Sequence, residues 1–194
     1  MYRINYPPKK LYHELDILKD KFQNIIKLRK CSALEIGCGI GIESRFFYNF
    51  FKTYIAIDTD KQAISIANEN KHSLYKNLYF MTDDIKTTNI TDKKDIIISI
   101  NTIHYIYKKT DLDLVFKNIF SLLTKNGICI IIEPKITSVG WGDSRLNESS
   151  PQFNKELWND KKKSLNNEHI YIINNITNFN YSEYEDYRIY VISK

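Results

Sequence analysis

The run Ala33-Leu34-Glu35-Ile36-Gly37-Cys38-Gly39-Ile40-Gly41 constrains the fold more than any other part of this sequence. Its apolar start predicts a buried strand, and glycines at alternate positions predict a tight turn that opens a helix from Gly41 to Phe51. Glycine in such a turn takes positive φ and lets a ligand approach closer than any Cβ would permit, beside the free N–H groups of the helix start. Strand, glycine turn and helix in that order imply an α/β layer structure with a ligand at the strand end. Glu35, two residues before the first glycine, is expected to point at the turn, where a carboxylate suits a cationic ligand better than a pyrophosphate. A dinucleotide fingerprint fits poorly, because Ile42 stands where G-x-G-x-x-G needs its third glycine.

Four further landmarks follow in order. Tyr54-Ile-Ala-Ile-Asp58 reads as a second short strand ending in an acid 17 residues after Gly41. A third strand, Leu78 to Met81, leads to Asp83-Asp84-Ile85. A fourth, Asp95 to Asn101, runs into Thr102-Ile103-His104-Tyr105-Ile106, and Leu122 to Pro134 reads as a helix end, a glycine stop at Gly127 and a fifth strand. With E-x-G-x-G-x-G at their head, these segments resemble the class I S-adenosylmethionine (SAM) dependent methyltransferases over residues 31–135.

The resemblance implies an α/β, Rossmann-like fold: a seven-stranded mixed sheet, parallel with an antiparallel C-terminal hairpin, flanked by helices. It implies SAM as cofactor and S-adenosylhomocysteine (SAH) as product. The methionine part would lie over the glycine turn of Gly37, Cys38, Gly39 and Gly41 and the ribose on Asp58, with Glu35, Thr59 and Asn101 among the cofactor-binding residues. Adenine would meet Asp84, favoured over Asp83 by its spacing from Phe80, and Ile85. Asp58 is expected to face solvent in the empty protein, so that its removal leaves the fold intact.

A chain of 194 residues, 43% of them hydrophobic, is expected to form a single domain over 1–194. Residues 1–30 would be an N-terminal helical cover with Leu11, Leu15, Leu18, Phe22 and Ile25 on its apolar face. Residues 31–135 would be the cofactor-binding core, with Asp60 and Thr110 capping helices and Gly127 ending one. Residues 136–194 would supply a substrate-side loop, a helix beginning at Ser150-Pro151, and a closing hairpin of strands near 169–176 and 184–193.

Net charge is +5, and residues 1–30 carry all of the excess, with eight Lys or Arg against three acids. Such a helix is either a solvated face or a phosphate-binding surface. Cys31, Cys38 and Cys129 have no pairwise metal spacing, so no metal is expected and a reduced, cytoplasmic setting is. Cys38 needs only to be small at its position, with packing or reactivity as its two readings. No signal peptide or membrane-spanning run is evident, and a soluble protein without a membrane partner is expected.

The SAM methyl group is electrophilic already, so a methyltransferase mainly aligns a nucleophile behind it. His104, three residues past Asn101, is the candidate base or a helix-start residue bonded to backbone. Tyr6, Tyr105, Trp141 and Arg145 are candidate substrate contacts. Ser99-Ile100-Asn101-Thr102-Ile103 replaces the N-P-P-Y or D-P-P-Y of amino-adenine methylases, and neither a K-D-K-E arrangement nor a cysteine in the loop after the fourth strand is present. A small-molecule acceptor methylated on O or N is therefore expected. An RNA or other nucleic-acid acceptor, and a non-catalytic SAM-fold binding subunit, are the alternatives.

Overall fold

The computed structural model describes residues 30–106, 108–134, 179–183 and 187–194, and divides into two compact units, Met1–Asp83 and Asp84–Lys194. In the first unit, β1 (Ser32–Ile36) and β3 (Leu78–Thr82) flank β2 (Thr53–Asp58), all parallel. Leu34 pairs with Ile55 and Ile36 with Ile57, while Ala56 pairs with Phe80. Ala33, Leu34, Ala56 and Ile57 are buried, the near-continuous burial of a parallel strand covered on both faces. The outer strand β3 instead alternates: Leu78 and Phe80 are buried, Tyr79 and Met81 exposed.

Helix α1 is Ile42–Phe47, followed by a 3-10 turn at Tyr48–Phe50. The expected helix to Phe51 is thus split after six residues, and Phe51 is extended. The side-chain amide of Asn77 donates to Phe51 O (2.8 Å) and to Tyr48 O (2.9 Å), which also accepts from Phe51 N at 3.2 Å, and so braces the end of the broken helix. Helix α2 (Lys61–Glu69) starts as expected: Asp60 Oδ1 accepts from Gln62 N at 2.8 Å and Ala63 N at 3.2 Å. Its buried side is Ala63, Ile64 and Ala67, the two alanines being small enough to let the helix pack closely.

In the second unit, β4 (Lys94–Ile100) pairs in parallel with β5 (Leu123–Pro134), from Ile96 against Ile128 to Ile100 against Ile132. β5 then pairs antiparallel with β7 (Tyr187–Ser193), which forms a hairpin with β6 (Phe179–Glu183). Parallel strands and an antiparallel C-terminal hairpin are therefore both present. The hairpin's first strand is 179–183, whereas the 169–176 run expected for it lies outside the described residues, as do residues 1–29 and 135–178.

Helix α3 is Lys109–Leu122, with Leu112, Val115, Phe116 and Ile119 buried as their spacing predicts. Two local expectations are corrected here. Lys108, not Thr110, holds the N-cap position, without a side-chain cap bond. The helix ends at Leu122 on an extended Leu123, so Gly127 is not its stop and lies inside β5. A Cβ at Gly127 would come within 3.0 Å of Thr124 N and Oγ1, so this glycine serves a close approach where β4 and β5 shift register. Among the described residues no helix is long and apolar enough to cross a membrane.

Candidate cofactor site

The glycine turn is built by the end of β1 folding onto β2. Gly37 N and Cys38 N both donate to Ile57 O, at 2.8 and 3.0 Å, and Gly41 N closes back on Cys38 O at 2.9 Å. Gly37, Gly39 and Gly41 have φ of 75°, 52° and 76°, the left-handed region that a side chain resists. Two of them matter for different reasons. At Gly41 a Cβ would sit 2.5 Å from Phe80 Cε1 and Cζ, so β3 packs where a side chain would be. At Gly39 a Cβ would meet nothing within 4 Å, so this glycine borders open space.

Asp58 ends β2 and reaches back to the turn. Its Oδ2 accepts from Gly39 N at 2.8 Å and its Oδ1 from Asp60 N at 2.9 Å. The expectation of a carboxylate with nothing to stabilise in the empty protein is corrected: Asp58 clasps the turn to the start of α2. Thr59 beside it is exposed.

Glu35 does not face an open site. It is 1% exposed, and its Oε2 accepts from Ser44 Oγ at 2.5 Å and from Tyr54 OH at 3.1 Å. Burial, reinforced by the nearby Glu43 and Asp58 carboxylates, pushes its ionisation up to about 8 against the pull of those two donors. Burial raises the Tyr54 hydroxyl as well, and raises the Cys38 thiol far above its ordinary value, which favours packing over reactivity for Cys38. Ser44 and Tyr54 escaped sequence reading; an acid in a strand that calls for apolar residues was the one signal that partners must exist.

A protonated buried Glu35 has a consequence for stability. The folded protein keeps the proton between about pH 4.5 and 8 while the unfolded chain has released it, so stability falls as pH rises through that window and levels off above it. Glu35→Gln, which mimics the protonated group, is expected to flatten that slope and to be more stable above pH 8 by a few kcal/mol, on the order of the linkage. Urea unfolding from pH 5 to 9 checks this; parallel profiles for parent and variant would refute it.

The second unit holds Asp84, Ile85, Asn101, His104 and Tyr105. Asp84 Oδ1 accepts from Lys86 N at 2.9 Å, and Lys86 Nζ lies 3.6 Å from Asp84 Oδ2 and 3.3 Å from Asp111 Oδ2. The hydrogen bond to Asp111 and the charge of Asp84 raise the Lys86 ammonium. Ile85 is buried, and Asn118 Nδ2 donates to Ile85 O and Lys86 O at 2.8 and 2.9 Å, holding the loop after β3. Asn101 has φ 52°, and its N donates to Ile132 O at 2.8 Å. Its Oδ1 is a buried acceptor with no hydrogen-bond partner among the described residues, as is Ser99 Oγ. The backbone of His104 lies in the 3-10 turn Ile103–Tyr105, and Tyr105 is exposed. Tyr6, Trp141 and Arg145 lie outside the described residues.

Known proteins are similar to this chain in sequence and in fold. A family model described as a methyltransferase domain matches residues 27–187, across both units. The chain belongs to the methyltransferase domain family. The resemblance of its motifs to the class I SAM-dependent methyltransferases is thereby met. The malonyl-[acyl-carrier protein] O-methyltransferase of Bacillus cereus is 31% identical over 125 residues, 63% of this chain and 44% of the relative. The chain spans less than half the length of the curated relatives it matches. Among solved structures, the N-methyltransferase NodS from Bradyrhizobium japonicum WM9 aligns at a TM-score of 0.65 and 15% identity, over 98% of this chain and 99% of NodS. The PH0226 protein from Pyrococcus horikoshii OT3 aligns at 0.66 and 17% identity, over 98% and 92%. These likenesses establish the fold.

Proposed function

We propose that this chain is a SAM-dependent methyltransferase that transfers the methyl group to oxygen or nitrogen of a small-molecule acceptor and releases SAH. The observation that carries the reading is the turn itself: glycines in the left-handed region, one bordering open space, clasped at Gly39 N by the Asp58 carboxylate. That is a cradle a Cβ would fill, as SAM requires. Relatives support the chemical class, one being an O-methyltransferase and another an N-methyltransferase solved with SAH. A single domain, with the seven-stranded sheet of the family, belongs to the same proposal, supported by three strands in one unit and four in the other.

Bound SAM supplies a methyl group made electrophilic by its sulfonium. The chain's own residues then hold and align. Gly37, Cys38, Gly39 and Gly41 take the amino-acid part, and Glu35 acts on it from within the core. Asp58 and Thr59 take the ribose. Asp84 and Ile85 are the adenine contacts by resemblance, and Asn101 Oδ1 offers a buried acceptor that a ligand N–H would satisfy. Alignment of acceptor and methyl contributes about 7 to 11 kcal/mol in the best intramolecular cases.

SAM and SAH are expected to bind at low micromolar strength, about 8 kcal/mol. Calorimetry in which neither binds while a nicotinamide dinucleotide does would end the reading. Mass spectrometry of cell extract incubated with labelled SAM identifies the acceptor. A nucleic-acid acceptor has one feature in its favour, the basic excess of residues 1–30, and RNA affinity falling steeply with salt would mark it.

His104 is proposed as the group that takes the acceptor's proton. His104→Ala is expected to lower turnover by about 10² to 10⁴ with SAH affinity nearly unchanged. Full turnover in a well-folded variant removes the base and leaves alignment as the whole mechanism.

A further inference from the structure

Glu35, Ser44 and Tyr54 form a buried polar group that the alignment of SAM does not by itself require. The acid comes from β1, the serine from α1 and the tyrosine from β2, and both hydroxyls converge on one carboxyl oxygen, Oε2. Tyr54 is fully buried and packs its ring 5.4 Å from that of Phe51. Two donors on one oxygen fix the orientation of the carboxyl and leave the other oxygen to carry or release a proton. Glu35 lies two residues from Gly37, so its charge is felt at the turn whatever its solvent access. The Arg45 guanidinium on α1 donates to Ile40 O at 2.9 Å, and among the described residues the titratable groups that act on Glu35 are acidic or neutral: Glu43 on α1, Tyr54 and Asp58 on β2, and Cys38 in the turn. None of the groups that act on it supplies a positive charge to balance an ionised Glu35. The cationic amino group that SAM and SAH share would.

We propose that Ser44 and Tyr54 are positioning residues for Glu35, and that they hold its carboxyl so that the cationic amino group of a cofactor arriving over the glycine turn expels the carboxyl proton to solvent. The inference rests on the reading of the turn as a SAM site. The step balances as Glu35 carboxylic acid giving carboxylate and a proton taken up by buffer, with the cofactor's positive charge as the new counter-ion. The high ionisation point of the empty protein means that Glu35 starts protonated at neutral pH. By linkage the ligand then binds more tightly as pH rises, by close to tenfold per unit below about pH 8, and with little further change above it.

The test is calorimetric titration of the full chain with SAH and with SAM, from pH 6.5 to 9.5, in buffers of different ionisation enthalpy. Release of about one proton per cofactor is expected at pH 7, fading toward about a tenth at pH 9. Glu35→Gln keeps the ligand's own titration and the fold but is expected to abolish the remaining release and the steep affinity slope. Tyr54→Phe and Ser44→Ala each remove a donor that favours the charged form, so release is expected to persist to higher pH in both. A merely structural role for the two hydroxyls would leave the pH of that fade unmoved and overturn the positioning assignment. Binding of either ligand with no proton release in the parent overturns the coupling while the cofactor reading stands. No binding of SAM or SAH at any pH overturns the cofactor reading and the coupling together.

Discussion

Gly41→Ala is expected to destabilise the protein by roughly 2 to 5 kcal/mol, the sum of a left-handed backbone forced on a residue with a Cβ and an overpacked contact. Gly41 has φ 76°, and the added Cβ would stand 2.5 Å from two ring carbons of Phe80 and 3.3 Å from the Ala67 methyl. Phe80 is buried on the inner face of β3, so its ring has little room to retreat. The two contributions are separable. In a Phe80→Leu background the contact is relieved, and the Gly41→Ala change should then cost about 1 to 2 kcal/mol, the backbone part alone. Urea midpoints of the four proteins measure this as a double-mutant cycle. An additive cycle would show that Phe80 does not press on the turn.

Asp58→Ala is expected to weaken SAH binding by roughly 1.5 to 3 kcal/mol for a lost charge-assisted hydrogen bond, about ten- to 150-fold in Kd. It is also expected to lower stability in the absence of ligand, because Gly39 N and Asp60 N lose their acceptor. A carboxylate that served the ribose alone would change affinity and leave the unliganded protein untouched. Measuring the unfolding midpoint with and without saturating SAH separates the two roles. Unchanged stability in the empty variant would refute the clasp, and unchanged affinity would refute the ribose assignment.

Local signals carried much of the way from sequence to fold. Glycines at 37, 39 and 41 have positive φ as the motif demands, because a residue without a Cβ takes that conformation most readily. Asp60 caps α2 as its position before an apolar period predicts. The apolar spacing of Leu112, Val115, Phe116 and Ile119 gives the buried side of α3 directly. Each of these depends on neighbours a few residues away.

Where two readings of a local signal competed, the sequence misled. Gly127 after a run of helix formers has the look of a helix stop, yet the chain had already turned into β5, and the glycine answers to Thr124 at a register shift. Thr110 is a good cap type, but the helix begins one residue before it. The strand Phe179–Glu183 was not read from the sequence, and its place is set by antiparallel pairing with β7.

What the sequence by itself determined was the set of elements around the glycine turn and the family to which they belong, since both are written in residue types and short spacings. What only the tertiary structure decided was how the acids are used. Glu35 meets Ser44 nine positions away and Tyr54 nineteen away, and Asp58 meets Gly39 across nineteen. A carboxylate's burial, and so its charge, depends on what the folded chain brings around it from distant positions, and no local pattern encodes that environment.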